Sequence, residues 1–142
     1  MPELYHALYH SQSLVPDTPS VHNEILTVSQ RNNSVAGISG FLHREGDFFL
    51  QYLEGPKTLL FSTLARIGRD PRHKNFEIIE SGTARTRMLP DWQMGFTDPS
   101  QLRISDLLHV SENQLQINAL DPFDIVTLLV NNSHGLRSSV AA

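Results

Sequence analysis

One strand sets the problem that this chain must solve in folding. Phe48-Phe49-Leu50-Gln51-Tyr52-Leu53-Glu54-Gly55 is apolar and aromatic enough to be a buried strand, yet it carries a glutamine at an inward-looking position. An amide left unpaired in an interior costs on the order of 1–3 kcal/mol. The fold must therefore offer Gln51 a polar object that few protein interiors contain. Two other polar side chains can converge on it, because Tyr9 ends the first predicted strand and Asn33 ends the first predicted helix. The combination points to a bound ligand.

Composition narrows what that ligand and its chemistry can be. The chain has 142 residues, enough for one compact domain and a short extension, and a domain of this size buries about two-thirds of its unfolded surface. Eleven Lys+Arg against 15 Asp+Glu give a formal charge of −4, and no basic run supplies the stripe that phosphate neutralisation requires, so nucleic acid is excluded as the expected partner. No apolar run approaches the roughly 20 residues that span a bilayer, so no membrane partner is expected either. Met1-Pro2-Glu3-Leu4-Tyr5-His6 lacks the basic-then-apolar layout of a signal peptide, and the expected location is cytoplasmic. The absence of cysteine removes disulfide scaffolds, thiolate metal sites, thiol nucleophiles and cysteinyl cofactor adducts. His6 and His10 stand four apart, which on a helix would offer both rings to a metal; the segment reads as a strand, so a solvated face is expected and no metal site.

Along the chain, residues 3–11 read as a strand, followed by a loop with Pro16 and Pro19. A helix follows, capped by Thr18 or Ser20, with Glu24 in its first turn, apolar positions at Ile25, Leu26 and Val28, and a stop at Arg31-Asn32-Asn33. Residues 36–43 and a run ending near Glu54 form an antiparallel hairpin across Glu45-Gly46-Asp47. Pro56 opens a second helix with Leu59, Leu60, Leu64 and Ile67 near the 3.6 period, closed by Asp70-Pro71. Residues 76–80 and 92–96 complete a βαββαββ order. Two helices packed on one face of a mixed sheet, a ferredoxin-like α+β domain spanning residues 1–97, is the expected architecture. Beyond it, residues 98–142 read as a C-terminal helical cap on the exposed sheet face with a loose tail, carrying Leu102, Leu107, Leu108, Phe123, Ile125, Leu128 and Leu129.

Spacing alone does not settle what the polar residues do. Tyr9, Asn33 and Gln51 equally describe a saturated buried network, and Trp92 with Met94 on one face of a strand equally describes ordinary core.

The assembled motifs resemble the BLUF family, the sensors of blue light using FAD, over residues 3–97. The resemblance rests on Leu8-Tyr9-His10-Ser11, Ser29-Gln30-Arg31-Asn32-Asn33, Gly37-Ile38-Ser39-Gly40-Phe41-Leu42, Phe49-Leu50-Gln51-Tyr52-Leu53-Glu54-Gly55, Arg66-Ile67-Gly68-Arg69-Asp70-Pro71-Arg72-His73 and Trp92-Gln93-Met94-Gly95-Phe96, all in the family's order. It implies FAD held noncovalently with its ring system between the two helices. Ile25 and Ile67 would line the ring faces. Asn33 would meet the pyrimidine edge, Asn32 beside it would also contact the cofactor, Arg72 and His73 would approach the carbonyl and ribityl side, and Arg66 would pair with Asp70 near the ring. Tyr9 is similar to the family's photochemical electron and proton donor. Gln51 is similar to its switch, an amide that rearranges by rotation or tautomerisation to give a slightly red-shifted state. Trp92 and Met94 stand where the family's fifth strand changes conformation and passes the signal on.

Three positions depart from the family's usual pattern: Ser39 for threonine, Tyr52 for a smaller aliphatic residue and Gln93 for serine. None removes a residue that the photochemistry needs. The implied protein is a short photoreceptor, not itself an enzyme. Its output would pass to a separate signalling protein, such as a cyclic-di-GMP phosphodiesterase or a response-regulator-like protein, and it would form a homo-oligomer. Two rival classes keep the same fold: a flavin-free interaction module, and a small flavin-dependent reductase. The second would need a nucleotide-binding turn, and no G-x-G-x-x-G fingerprint is present.

Overall fold

A computed structural model describes residues 3–90 and 95–97. Its elements run β1 (Leu4–Ser13), α1 (Pro19–Ala36), β2 (Ser39–Glu45), β3 (Phe48–Pro56), α2 (Lys57–Gly68), β4 (His73–Thr83) and β5 (Gly95–Thr97). The sheet order is β4-β1-β3-β2-β5. β1 is antiparallel to both β3 and β4, β2 is antiparallel to β3, and β5 joins β2 in parallel. This is the expected ferredoxin-like βαββαββ sheet. The helical cap expected over 98–142, like Trp92 and Met94, lies outside the described residues.

The alternation of β1 and β3 divides the sheet into two faces. Ala7 and Tyr9 of β1, Leu42 of β2, and Phe49 and Leu53 of β3 face the helices, where they pack with Leu60 and Leu64 of α2; Ile25 and Leu26 of α1 and Ile67 of α2 pack against this cluster. Burying each of the larger apolar side chains contributes roughly 1.5–3 kcal/mol. On the opposite face, Leu8 pairs with Tyr52 and Leu50 with His43, and these side chains are buried as well.

Several boundaries differ from the sequence expectation for local reasons. Thr18 is the N-cap of α1, accepting from the Val21 amide, and Pro19 occupies the first turn. Glu24 lies beyond that turn, which holds no acidic residue. The helix does not stop at Asn33: it continues to Ala36, and Gly37 closes it in the left-handed region at φ 70°. That conformation is open to glycine without steric cost, so the closing signal was the glycine and not the asparagine pair. One further turn of helix places Asn33 on the inner face, 3% exposed, instead of at a frayed end. β2 consequently begins at Ser39, later than 36, and the α2 stripe runs through Leu60, Thr63 and Leu64 while Leu59 is exposed. β4 starts at His73, earlier than residue 76.

Candidate functional site

The two helices and the inner sheet face enclose a cavity of about 170 Å³, partly open to solvent. Its lining contains Tyr9, Ile25, Asn32, Asn33, Gln51, Arg66, Ile67, Asp70, Arg72 and His73, every residue that sequence reasoning assigned to cofactor binding and that is described. Six segments supply them: β1, α1, β3, the end of α2, the α2–β4 turn and the start of β4. Ile25 and Ile67 come from the two opposing helices, as the apolar faces of a slot for a flat ring require.

At the floor of the cavity the Tyr9 hydroxyl donates to Gln51 Oε1. The contact follows from register, because Tyr9 and Gln51 are direct cross-strand partners of β1 and β3. Both side chains are about 4% exposed. Burial pushes the Tyr9 phenol well above the ordinary tyrosine value, and the nearby Asp70 carboxylate pushes it further. Tyr9 is therefore protonated throughout the physiological range. With Oε1 engaged by the phenol, the amide nitrogen is the end through which Gln51 donates.

At the rim, Asp70 pairs with Arg72 and not with Arg66 as its i,i+4 spacing on the helix suggested. Arg72 Nη2 lies 2.5 Å and Nε 3.0 Å from the carboxylate, and the Arg72 backbone amide donates to Oδ1 at 2.9 Å. α2 ends at Gly68, so Asp70 is already in the turn, and the geometry there favours the residue two positions on. Hydrogen bonding to Arg72 holds the Asp70 carboxyl below the usual aspartate value, and the same contact raises Arg72. Arg66 stands in the exposed last turn of α2 at the mouth of the cavity. His73 bridges elements: its Nε2 donates to the Ile67 carbonyl at 2.6 Å, leaving Nδ1 to accept from Ser11 Oγ at 2.7 Å. It thus ties α2 and β1 together beside Tyr9.

Sequence reasoning missed Val28, Ser29, Leu42, Phe49, Leu53 and Thr63, which also line the cavity. Their signals were present. Val28 and Ser29 are one helical turn beyond Ile25, Thr63 is one turn before Ile67, Phe49 and Leu53 flank Gln51 at strand period two, and Leu42 is its partner on β2.

A ferredoxin-like sheet with two helices over a narrow slot, apolar on its faces and lined by amides at its edge, suits a planar heteroaromatic cofactor. The family model for BLUF, sensors of blue-light using FAD, matches residues 4–95, and the chain belongs to that family. Its cofactor is FAD, and the matched region is a sensor domain rather than a catalytic one. The chain is similar to photoactivated adenylate cyclase subunit beta of Euglena longa, 35% identical over 89 residues, which are 61% of this chain and 10% of the relative. It therefore spans about a tenth of the length of the curated relatives it matches. Among solved structures, the dark state of BlrB, a BLUF protein, is 26% identical with a TM-score of 0.79, covering 94% of this chain and 98% of that one. Klebsiella pneumoniae BlrP1 with FMN and cyclic diGMP is 26% identical with a TM-score of 0.65, covering 92% of this chain and 35% of that one.

Proposed function

We propose that this chain senses blue light through a switch made of Tyr9 and Gln51. The observation that supports the reading best is the hydrogen bond from the Tyr9 hydroxyl to Gln51 Oε1 in the wall of the slot between α1 and α2. Bound FAD supplies the absorption of blue light and, when excited, a strong electron acceptor. Tyr9 is the donor. Because burial keeps its phenol protonated, loss of an electron drives the proton along the existing hydrogen bond toward Gln51 Oε1. Gln51 then reorganises by rotation or tautomerisation, and return of the electron and proton to Tyr9 leaves the donor and acceptor groups of the amide rearranged. A hydrogen bond from the rearranged amide to the cofactor's carbonyl edge would lower its transition energy and give a small red shift.

The other lining residues hold the cofactor. Ile25 and Ile67 would line the ring faces, Asn33 would meet its pyrimidine edge with Asn32 beside it, and Asp70, Arg72 and His73 would close the turn beside it. Arg66 at the mouth adds positive charge suited to the cofactor's anionic arm. Residues 1–97 form the photosensory domain, with a C-terminal extension over 98–142. Output passes through Trp92, Met94 and β5 to a separate signalling protein in a homo-oligomeric, cytoplasmic receptor. No described helix is long and apolar enough to cross a membrane. The relative's name, which couples light to an adenylate cyclase, and the cyclic diGMP in the BlrP1 structure favour a partner that makes or destroys a cyclic nucleotide.

The test is the visible absorption spectrum of the purified protein in darkness, under blue light and during recovery. A flavin spectrum that shifts slightly to the red and returns is expected. A colourless protein, or a flavin that only bleaches, overturns the reading.

A further inference from the structure

Three residues along β3 from Gln51, on the opposite face, lies Glu54, 1% exposed. A carboxylate buried so deeply requires strong compensation. It receives four donors: Ser39 Oγ at 2.9 Å, Tyr52 hydroxyl at 2.9 Å, the Met88 amide at 2.8 Å and the Leu89 amide at 2.9 Å. Two of these are backbone groups of the connection that leads from β4 into β5. Arg87 grips from the other side, donating to Ser39 Oγ at 2.9 Å and to the Gly37 carbonyl at 2.6 Å. Gly37 is the residue that closes α1, and its amide bonds the Asn33 carbonyl. Gly55 packs so closely on Gly37 that a Cβ there would lie 2.9 Å from the Gly37 carbonyl oxygen. Residues 87–89 are thus fastened to the end of the helix that carries Asn33 and to the strand that carries Gln51.

We propose that Glu54 is a positioning residue of the photocycle: its carboxylate clamps Met88 and Leu89 to β3, so that rearrangement of Gln51 is transmitted to the β4–β5 connection as a loosening of this clamp. The idea rests on the photoreceptor reading and adds to it a specific mechanical link. The link is short. Gln51 and Glu54 share one strand, which is hydrogen-bonded on both sides and cannot shift at one residue without moving its neighbours. The far end of the clamp is a segment whose continuation, β5, pairs with β2 beside Leu42, a residue of the cavity wall.

The experiment is amide hydrogen exchange of the full chain with its flavin bound, resolved at Met88 and Leu89, in darkness and under continuous blue light. Exchange at these two amides should rise roughly tenfold or more in the light, the scale of losing one hydrogen bond to a charged acceptor. In Glu54→Gln the dark exchange should already be fast and the light-minus-dark difference should vanish, while the flavin red shift still forms. Arg87→Ala, at a partly exposed position, should reduce the difference in the same way and serves if the glutamine variant does not fold. A normal red shift in the wild type with unchanged exchange at Met88 and Leu89 overturns the clamp. Absence of any red shift in the wild type overturns the photoreceptor reading on which it depends.

Discussion

The two faces of the sheet treat buried polar groups in opposite ways. On the outer face Glu54 is held by Ser39, Tyr52 and two backbone amides, and His43 lies 2.9 Å from Glu45 with both side chains fully buried. On the inner face the Tyr9–Gln51 pair borders a cavity. A carboxylate with a donor on every lone pair has one stable arrangement. An amide beside a cofactor slot has two, because its oxygen and nitrogen ends can exchange places at small steric cost. The difference separates the pair that rearranges at the cofactor from the clamp that this rearrangement works against.

Substitutions on the inner face should abolish the signal and leave the fold intact. Gln51→Leu fills similar space without hydrogen-bonding groups, so the protein should bind flavin and show no red shift on illumination; Tyr9→Phe should likewise keep the pigment and lose the productive photocycle. A normal red shift in the leucine variant would erase the distinction between the faces. The converse change on the outer face is Leu50→Ala, which removes a fully buried side chain. It should cost about 2–5 kcal/mol in chemical denaturation while the surviving folded protein photocycles normally. A lost red shift there would show that both faces switch.

A finer comparison removes one donor from the Glu54 cluster. Tyr52→Phe should cost about 0.5–1.5 kcal/mol, read as a small fall in Tm, with little change in the amplitude of the red shift. The smallest effect should come from the rim. Asp70 has a folded-state pKa below 3.8, so its pairing with Arg72 contributes stability that is fully present above pH 3.8 and is lost as the pH falls further, through the folded-state value. Asp70→Asn should flatten only that acid limb of an unfolding-versus-pH curve, by a modest amount because the pair is partly exposed. An unchanged acid limb would mean that the pair contributes nothing in solution.

Much of the site was legible because it is built on periodicity. Helical spacing marked Ile25 and Ile67 as apolar positions, and the strand pattern marked Gln51 as inward and Tyr9 as ending the first strand; their roles toward the cofactor, with those of Asn33, Arg66, Arg72 and His73, rested on the resemblance to the BLUF family. What misled was end chemistry. The asparagine pair at 32–33 resembles a helix stop, yet Gly37 sets the C-terminus, because closure depends on a backbone conformation and not on side-chain polarity. Arg66 and Asp70 matched an i,i+4 pair only for a helix reaching residue 70, and α2 ends two residues earlier. The Glu54 cluster was invisible for a different reason. Its donors come from residues 39, 52, 88 and 89, and no local pattern announces that these meet.

The sequence by itself determined the order of the described elements, the inward direction of Gln51 and the family, since each depends on short-range period or on motifs in a fixed order. The tertiary structure alone decided which partners those elements bring together: Tyr9 opposite Gln51, Arg72 rather than Arg66 on Asp70, and Ser39 with Tyr52, two of the three departures from the family's pattern, on Glu54. Register and packing are set by the whole sheet closing on its two helices, and a contact between residues far apart in the chain exists only once that closure has occurred.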